Sequence, residues 1–93
     1  GGFPGIPIKI LRPDLFVALV EARRKKASFN QHIVDRLGLE GVQVIWARLG
    51  DRSFRERAAG RPFDAVISRA ALPSRRILEE GTRVLGPGGR VLL

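Results

Sequence analysis

Apolar residues in this chain follow two alternating rhythms, short unbroken runs and stripes at helical spacing. Leu15 to Val20 is continuously apolar, with Phe16 and Val17 among its members, and Glu21 closes it. An unbroken run of this kind predicts a strand covered on both faces, as in a parallel sheet. Phe29, Ile33 and Leu37 then recur at helical spacing with Val34 beside them. Gly38 followed by Leu39 supplies a left-handed stop with an apolar residue behind it, so an amphipathic helix is expected to end there. Further strands are predicted over Val42 to Trp46, Phe63 to Ile67 and Arg90 to Leu93. A second helix is expected between the last two. It has Pro73 near its first turn, apolar positions at Ile77, Leu78, Gly81, Val84 and Leu85, and Gly86 with Pro87 just past its end.

The order strand, helix, strand, repeated, predicts an α/β fold built from βαβ units: an open, largely parallel sheet with helices on both faces. In such sheets ligands bind at the C-terminal ends of the strands. That rule collects four segments on one rim: the opening turn, Glu21, the stretch from Ala47 to Asp51, and Ser68 with Arg69. The opening itself, "GGFPGIPIKILRP", reads as a glycine-rich turn running into a short helix. Glycines there allow unusual dihedrals and let a ligand approach the main chain.

Ninety-three residues with a hydrophobic fraction of 44% suffice for one small globular domain. No apolar run approaches the roughly 20 residues that cross a bilayer, and the first residues do not read as a signal peptide. The chain therefore reads as soluble, with no membrane partner. It contains no cysteine, which removes disulfides, thiolate metal sites and cysteine nucleophiles from consideration and fits a reducing, cytoplasmic setting. A single histidine, His32, makes no metal site and reads as a helix-surface residue. Charge adds most to the picture: 17 Lys+Arg against 9 Asp+Glu give a formal net charge of +8. Such a field favours polyanionic partners, nucleic acid first among them. No methionine is present, so Gly1 is not read as a natural start.

Four blocks carry a resemblance: "GGFPGIPIKILRPDLFVALVEARRKKASF", "WARLGD", "FDAVISRAAL" and "LGPGGRVLL". In this order they are similar to the central part of the bacterial RsmG (GidB) family. Its members are class I, S-adenosylmethionine-dependent methyltransferases that modify N7 of a guanine in small-subunit (16S) ribosomal RNA. The resemblance implies a Rossmann-like methyltransferase fold from which the first strand and the C-terminal strands are missing, so that residues 1–93 form an incomplete S-adenosylmethionine-dependent domain. Family members place a strand, an acid and further glycines just before the position of Gly1. In the usual strand order the missing strand lies at the centre of the sheet. The strands at Leu15 and Phe63 would then lack a common neighbour and leave backbone groups unpaired. The isolated chain is accordingly not expected to unfold cooperatively as a monomer, whereas the complete protein is expected to be one.

The resemblance also assigns residues. Gly2, Phe3 and Gly5 match the loop over the methionyl and ribose parts of S-adenosylmethionine; a plain tight turn is the alternative. Glu21 matches the acid that accepts the ribose hydroxyls, a role that nicotinamide-binding folds share, and a solvated loop acid is the alternative. In "WARLGD", Arg48 and Leu49 fit the family block, but Gly50 stands where the first acid is usual. Main-chain groups of Leu49 and Gly50 remain suited to the adenine edge. Asp51 either substitutes for the acid or opens the next helix ahead of Phe54, a place for which Ser53 competes. Arg69 matches an arginine beside the methyl group and is the candidate catalytic residue, binding either the cofactor carboxylate or an RNA phosphate. A surface arginine is the alternative, weakened because Ala65 to Ile67 read as buried strand. Arg23, Arg24, Lys25, Lys26 and Arg48 are candidate RNA-binding residues; a solvated face explains the run of four equally well. Trp46 reads as a core residue in preference to a base-stacking one.

Guanine N7 carries a lone pair and no proton, so its methylation needs alignment and no general base. Ser68 lacks a histidine or acid in sequence context and is given no catalytic role. "SRAA" is unlike the Asn/Asp-Pro-Pro-aromatic motif that serves exocyclic amines, and pyrimidine C5 methylation needs a cysteine that is absent. Other readings are a methyltransferase for another acceptor and an inactive basic RNA-binding module. A nicotinamide enzyme stands further off, because "GGFPGIP" departs from G-x-G-x-x-G.

Overall fold

The computed structural model describes residues 4–67 and 74–92 and divides the chain into two units, Gly1–Phe54 and Arg55–Leu93. Among the described residues, four helices alternate with four strands. The first unit opens with α1 (Gly5–Leu11), β1 (Val17–Glu21), α2 (Arg24–Arg36) and β2 (Val42–Trp46). β1 and β2 pair in parallel, register running from Val17 opposite Val42 to Glu21 opposite Trp46. Backbone bonds from Val17 N to Gly41 O and from Ala47 N to Glu21 O, both 2.9 Å, fix the two ends of the ladder. Leu19 and Ile45 are buried at its centre; α2 packs against both strands, and Ala27, Asn30 and Val34 are its buried residues.

That face lies one step around the helix from the stripe expected. Phe29 is 62% exposed and Leu37 is exposed, because small Ala27 and polar Asn30 occupy the positions that meet the sheet. The helix stop is as read: Gly38 adopts φ 63°, its N–H donates to Asp35 O, and Leu39 N–H donates to Val34 O. This is the Schellman pattern, which satisfies carbonyls that the helix end would otherwise leave open. β1 begins two residues later than the apolar run, since Leu15 and Phe16 are exposed.

α1 packs on β1 at Gly5. A Cβ there would run into Leu19 Cδ2, and Leu19 is itself buried, so the close approach requires glycine. Lys9 is buried although charged, being only 3% exposed. Its Nζ donates to Pro13 O at 2.8 Å and also to Leu15 O, tying α1 to the segment that leads into β1.

After β2 the chain forms α3 (Arg52–Ala58), with Phe54 and Ala58 buried. The second unit contains β3 (Phe63–Ile67), α4 (Ser74–Val84) and β4 (Leu85–Leu92). β3 and β4 are parallel, with Phe63 opposite Leu85 and then Ala65 to Ile67 opposite Arg90 to Leu92. The irregularity between these pairings is taken up by Gly86 to Gly89, which explains why β4 starts at Leu85 although its glycines and Pro87 read as a break. Ile77 is buried, and α4 crosses β3 where Gly81 faces Val66; a Cβ on Gly81 would sit 3.4 Å from Val66 Cγ1. Arg55 reaches Glu80 at 3.2 Å.

The architecture is α/β with parallel strands, as expected, but the strands form two separate pairs, β1–β2 and β3–β4. Among the described residues, β1 and β3 each have a strand on one edge only. The single-sided pairing leaves Ala65 and Ile67 exposed, Ile67 by 46%, which corrects the reading of this stretch as buried strand.

Candidate functional site

The C-terminal edge of the β1–β2 pair gathers the chemistry of the first unit. Glu21 ends β1 half-buried, and its carboxylate accepts the N–H of Ala22 at 2.9 Å. Its main-chain oxygen accepts from Ala47, which puts the start of the 47–51 segment directly beside it. That segment turns tightly: Asp51 N–H donates to Arg48 O at 3.0 Å, and Gly50 adopts φ 91°. A positive φ at the third residue of such a turn marks a type II geometry, in which a side chain is strained. Glycine at position 50 therefore has a local backbone reason. Leu49 and Gly50 are half-buried, and Arg48 and Asp51 are exposed. α3 starts at Arg52, immediately after Asp51.

α2 begins two residues beyond Ala22, so Arg23, Arg24, Lys25 and Lys26 stand at its N-terminal end beside the same edge, all exposed. Neither an acidic residue in the first turn nor a side-chain cap offsets them. Four cations here oppose the helix dipole, forgoing about 0.3–1 kcal/mol per site that an acid would gain. Trp46, at the end of β2, is 54% exposed, contrary to its reading as core. Its indole N–H donates to Ala22 O at 3.1 Å, and the Arg24 guanidinium lies 5.7 Å from its ring centroid. Side chains alternate along a strand, so it stands on the face of β2 opposite buried Ile45.

The structure thus brings together Glu21, Arg48, Leu49, Gly50 and the run from Arg23 to Lys26. Gly2, Phe3, Ser68, Arg69 and Pro73 lie outside the described residues. Gly5 is described, and its lack of a side chain is accounted for by packing on Leu19. Sequence reasoning passed over Lys9, whose signal was a lone lysine inside the apolar stretch "GIPIKIL", and the contact between Arg24 and Trp46, which no local pattern announces.

Parallel βαβ units with an acid at the C-terminal end of one strand and a glycine turn after the next are the arrangement of a Rossmann-like α/β fold. Within it the chain belongs to the family described as GidB, rRNA small subunit methyltransferase G, whose family model matches residues 1–93. It is 43% identical to the ribosomal RNA small subunit methyltransferase G of Roseiflexus castenholzii over 98% of its length. Proteins of the same name from Rubrobacter xylanophilus and Mycolicibacterium gilvum are 39% and 36% identical, over 99% and 98% of the chain. The chain spans 35–39% of the length of these relatives.

Proposed function

We propose that this chain is the cofactor-binding part of a methyltransferase that transfers a methyl group from S-adenosylmethionine to guanine N7 of small-subunit (16S) ribosomal RNA in the cytoplasm. The observation that carries the reading is the placement of half-buried Glu21 beside the Ala47–Asp51 turn at the C-terminal edge of parallel strands. The donor set fits the cofactor. A carboxylate with hydrogen-bonding capacity beyond its bond to Ala22 suits two ribose hydroxyls, and the tight Leu49–Gly50 turn suits the approach of an adenine edge. Gly2, Phe3 and Gly5 are assigned to the loop along the methionyl and ribose parts. When bound, the cofactor supplies an electrophilic sulfonium methyl group.

The chain's own task is then to hold and align. Glu21 and the turn fix one end of the cofactor, and Arg69 is assigned to its carboxylate or to an RNA phosphate next to the methyl. Arg23, Arg24, Lys25, Lys26 and Arg48 are assigned to the RNA backbone. No residue need remove a proton, because N7 has none, so orientation carries the rate. The edges of β1 and β3 that carry no strand among the described residues, together with the share of the relatives covered, support reading residues 1–93 as an incomplete domain, the complete protein acting as a monomer.

The test incubates the full-length protein containing this chain with S-adenosylmethionine and unmodified small-subunit particles, then digests the RNA and quantifies N7-methylguanosine by mass spectrometry. Product is expected, and Arg69→Ala is expected to lower the rate by at least 100-fold, about the effect of removing one oriented charge from a methyl-transfer site. Cofactor binding without product would favour another acceptor. Salt-sensitive RNA binding without cofactor binding would favour an inactive RNA-binding module.

A further inference from the structure

We propose that Trp46, with Arg24 against it, is a stacking platform for one unpaired nucleobase of the RNA, a role that rests on the RNA reading above. Three independent observations point to it. First, the indole is exposed over half its surface at the edge where Glu21 and the basic residues meet. Second, it is held in place before any ligand arrives. Its backbone lies in the β ladder opposite Glu21, and its N–H is anchored on Ala22 O. An aromatic fixed in this way loses little freedom when a base stacks on it. Third, its surroundings are positive: Arg24 sits over the ring, and Arg23, Lys25 and Lys26 extend the charge along the first turn of α2.

The division of labour follows from sign. Glu21, in register with Trp46, repels a phosphate brought close to the ring, so the uncharged base belongs on the indole and the backbone belongs on the cations of α2. An aromatic face with interleaved arginine is the arrangement that binds single strands, because every base offers a π face and every linkage a charge. A duplex buries its faces in its own stack, so the platform selects an unpaired nucleotide.

Trp46 is the only tryptophan in the chain, so its fluorescence reports contacts made within residues 1–93. The full-length protein containing this chain is titrated at low salt with fluorescein-labelled single-stranded oligoadenylate and with an abasic strand of equal charge, binding being followed by anisotropy and stacking by the tryptophan quenching that Trp46→Phe alters, with unlabelled strands. Strong quenching by oligoadenylate and little by the abasic strand is expected. Trp46→Leu is expected to weaken oligoadenylate binding roughly 5- to 100-fold, and Trp46→Phe to restore most of it. The salt slope should be unchanged in Trp46→Leu but shallower by about 1.4 in Lys25→Ala/Lys26→Ala, two single-strand phosphate contacts having gone. Binding without quenching, or equal quenching by the abasic strand, overturns the platform and leaves the RNA reading intact. Quenching by S-adenosylhomocysteine alone would give the ring to the cofactor and overturn it too. Absence of any RNA binding by the unaltered protein would remove both readings together.

Discussion

Replacing Asn30 by leucine should make the first unit more stable, although it removes a polar residue from a charged and basic helix. Asn30 is 6% exposed on the face of α2 that meets the sheet, between Ala27 and Val34. Its Nδ2 is buried and has no hydrogen-bond partner among the described residues. A buried donor left open costs about 1–3 kcal/mol. Leucine has the same branched outline, with methyls where the amide oxygen and nitrogen lie, and its apolar surface gains from burial. Methyls are bulkier than the atoms they replace, and this crowding offsets about 1 kcal/mol of the gain. A net stabilisation of about 1–2 kcal/mol remains, a factor of roughly 5–30 in the opening equilibrium. Native-state hydrogen exchange reads it without requiring that the whole chain unfold at once: the amides of α2, β1 and β2 should gain that factor in protection. Equal or faster exchange in Asn30→Leu would refute the reasoning, and would mean that the amide is satisfied in solution by a buried water.

Other outcomes follow from the same geometry. Gly5→Ala should destabilise the α1–β1 contact by about 1–3 kcal/mol through overpacking on Leu19, and Leu19→Ala in the same chain should relieve much of that, giving a coupling in a double-mutant cycle by hydrogen exchange. Glu21→Gln in the full-length protein should weaken S-adenosylmethionine binding about 10-fold by calorimetry, the loss of charge-assisted bonds, with the fold unchanged by circular dichroism. The side-chain bond from Arg12 holds the Asp14 carboxyl below its ordinary value of 3.8, helped by a backbone bond. Because the folded value is depressed, the pair favours the folded chain at neutral pH and loses that contribution as pH falls through the folded value. NMR titration should show Asp14 rising toward its ordinary value in Arg12→Gln and in high salt, and both side chains are too exposed for a large effect on stability.

Elements declared by composition were legible in the chain. β2 and β3 occupy the residues expected of them, because short runs rich in valine, isoleucine and aromatics between turn residues have few other ways to fold. The end of α2 was legible for a different reason: only glycine takes the left-handed position easily, so Gly38 fixes it. What apolarity does not encode is which side of a helix meets the sheet when two sides compete. Phe29 and Leu37 are more apolar than Ala27 and Asn30, yet they face outward, since the crossing from β1 to β2 sets the orientation of α2. Glu21 could be placed at the rim from the alternation alone, while Trp46 reads as core because it shares the parity of Val42 and Val44 opposite Gln43; its exposure depends on what covers that face at the end of β2, which the sequence does not display. The start of β4 was hidden by Gly86 and Pro87, whose irregular pairing with β3 is a matter of register between distant segments.

Lys9 gives the chain a built-in chemical clock. The sequence holds three lysines, and two of them, Lys25 and Lys26, stand in solvent while Lys9 is enclosed with its ammonium turned into the carbonyls of Pro13 and Leu15. An amine-reactive reagent must therefore modify the first two at the rate of free side chains, and can reach the third only in the moments when α1 lifts from the start of β1. The ratio of the two rates, read by mass spectrometry of intact chains, counts those moments, and does so for the segment that packs Gly5 against Leu19.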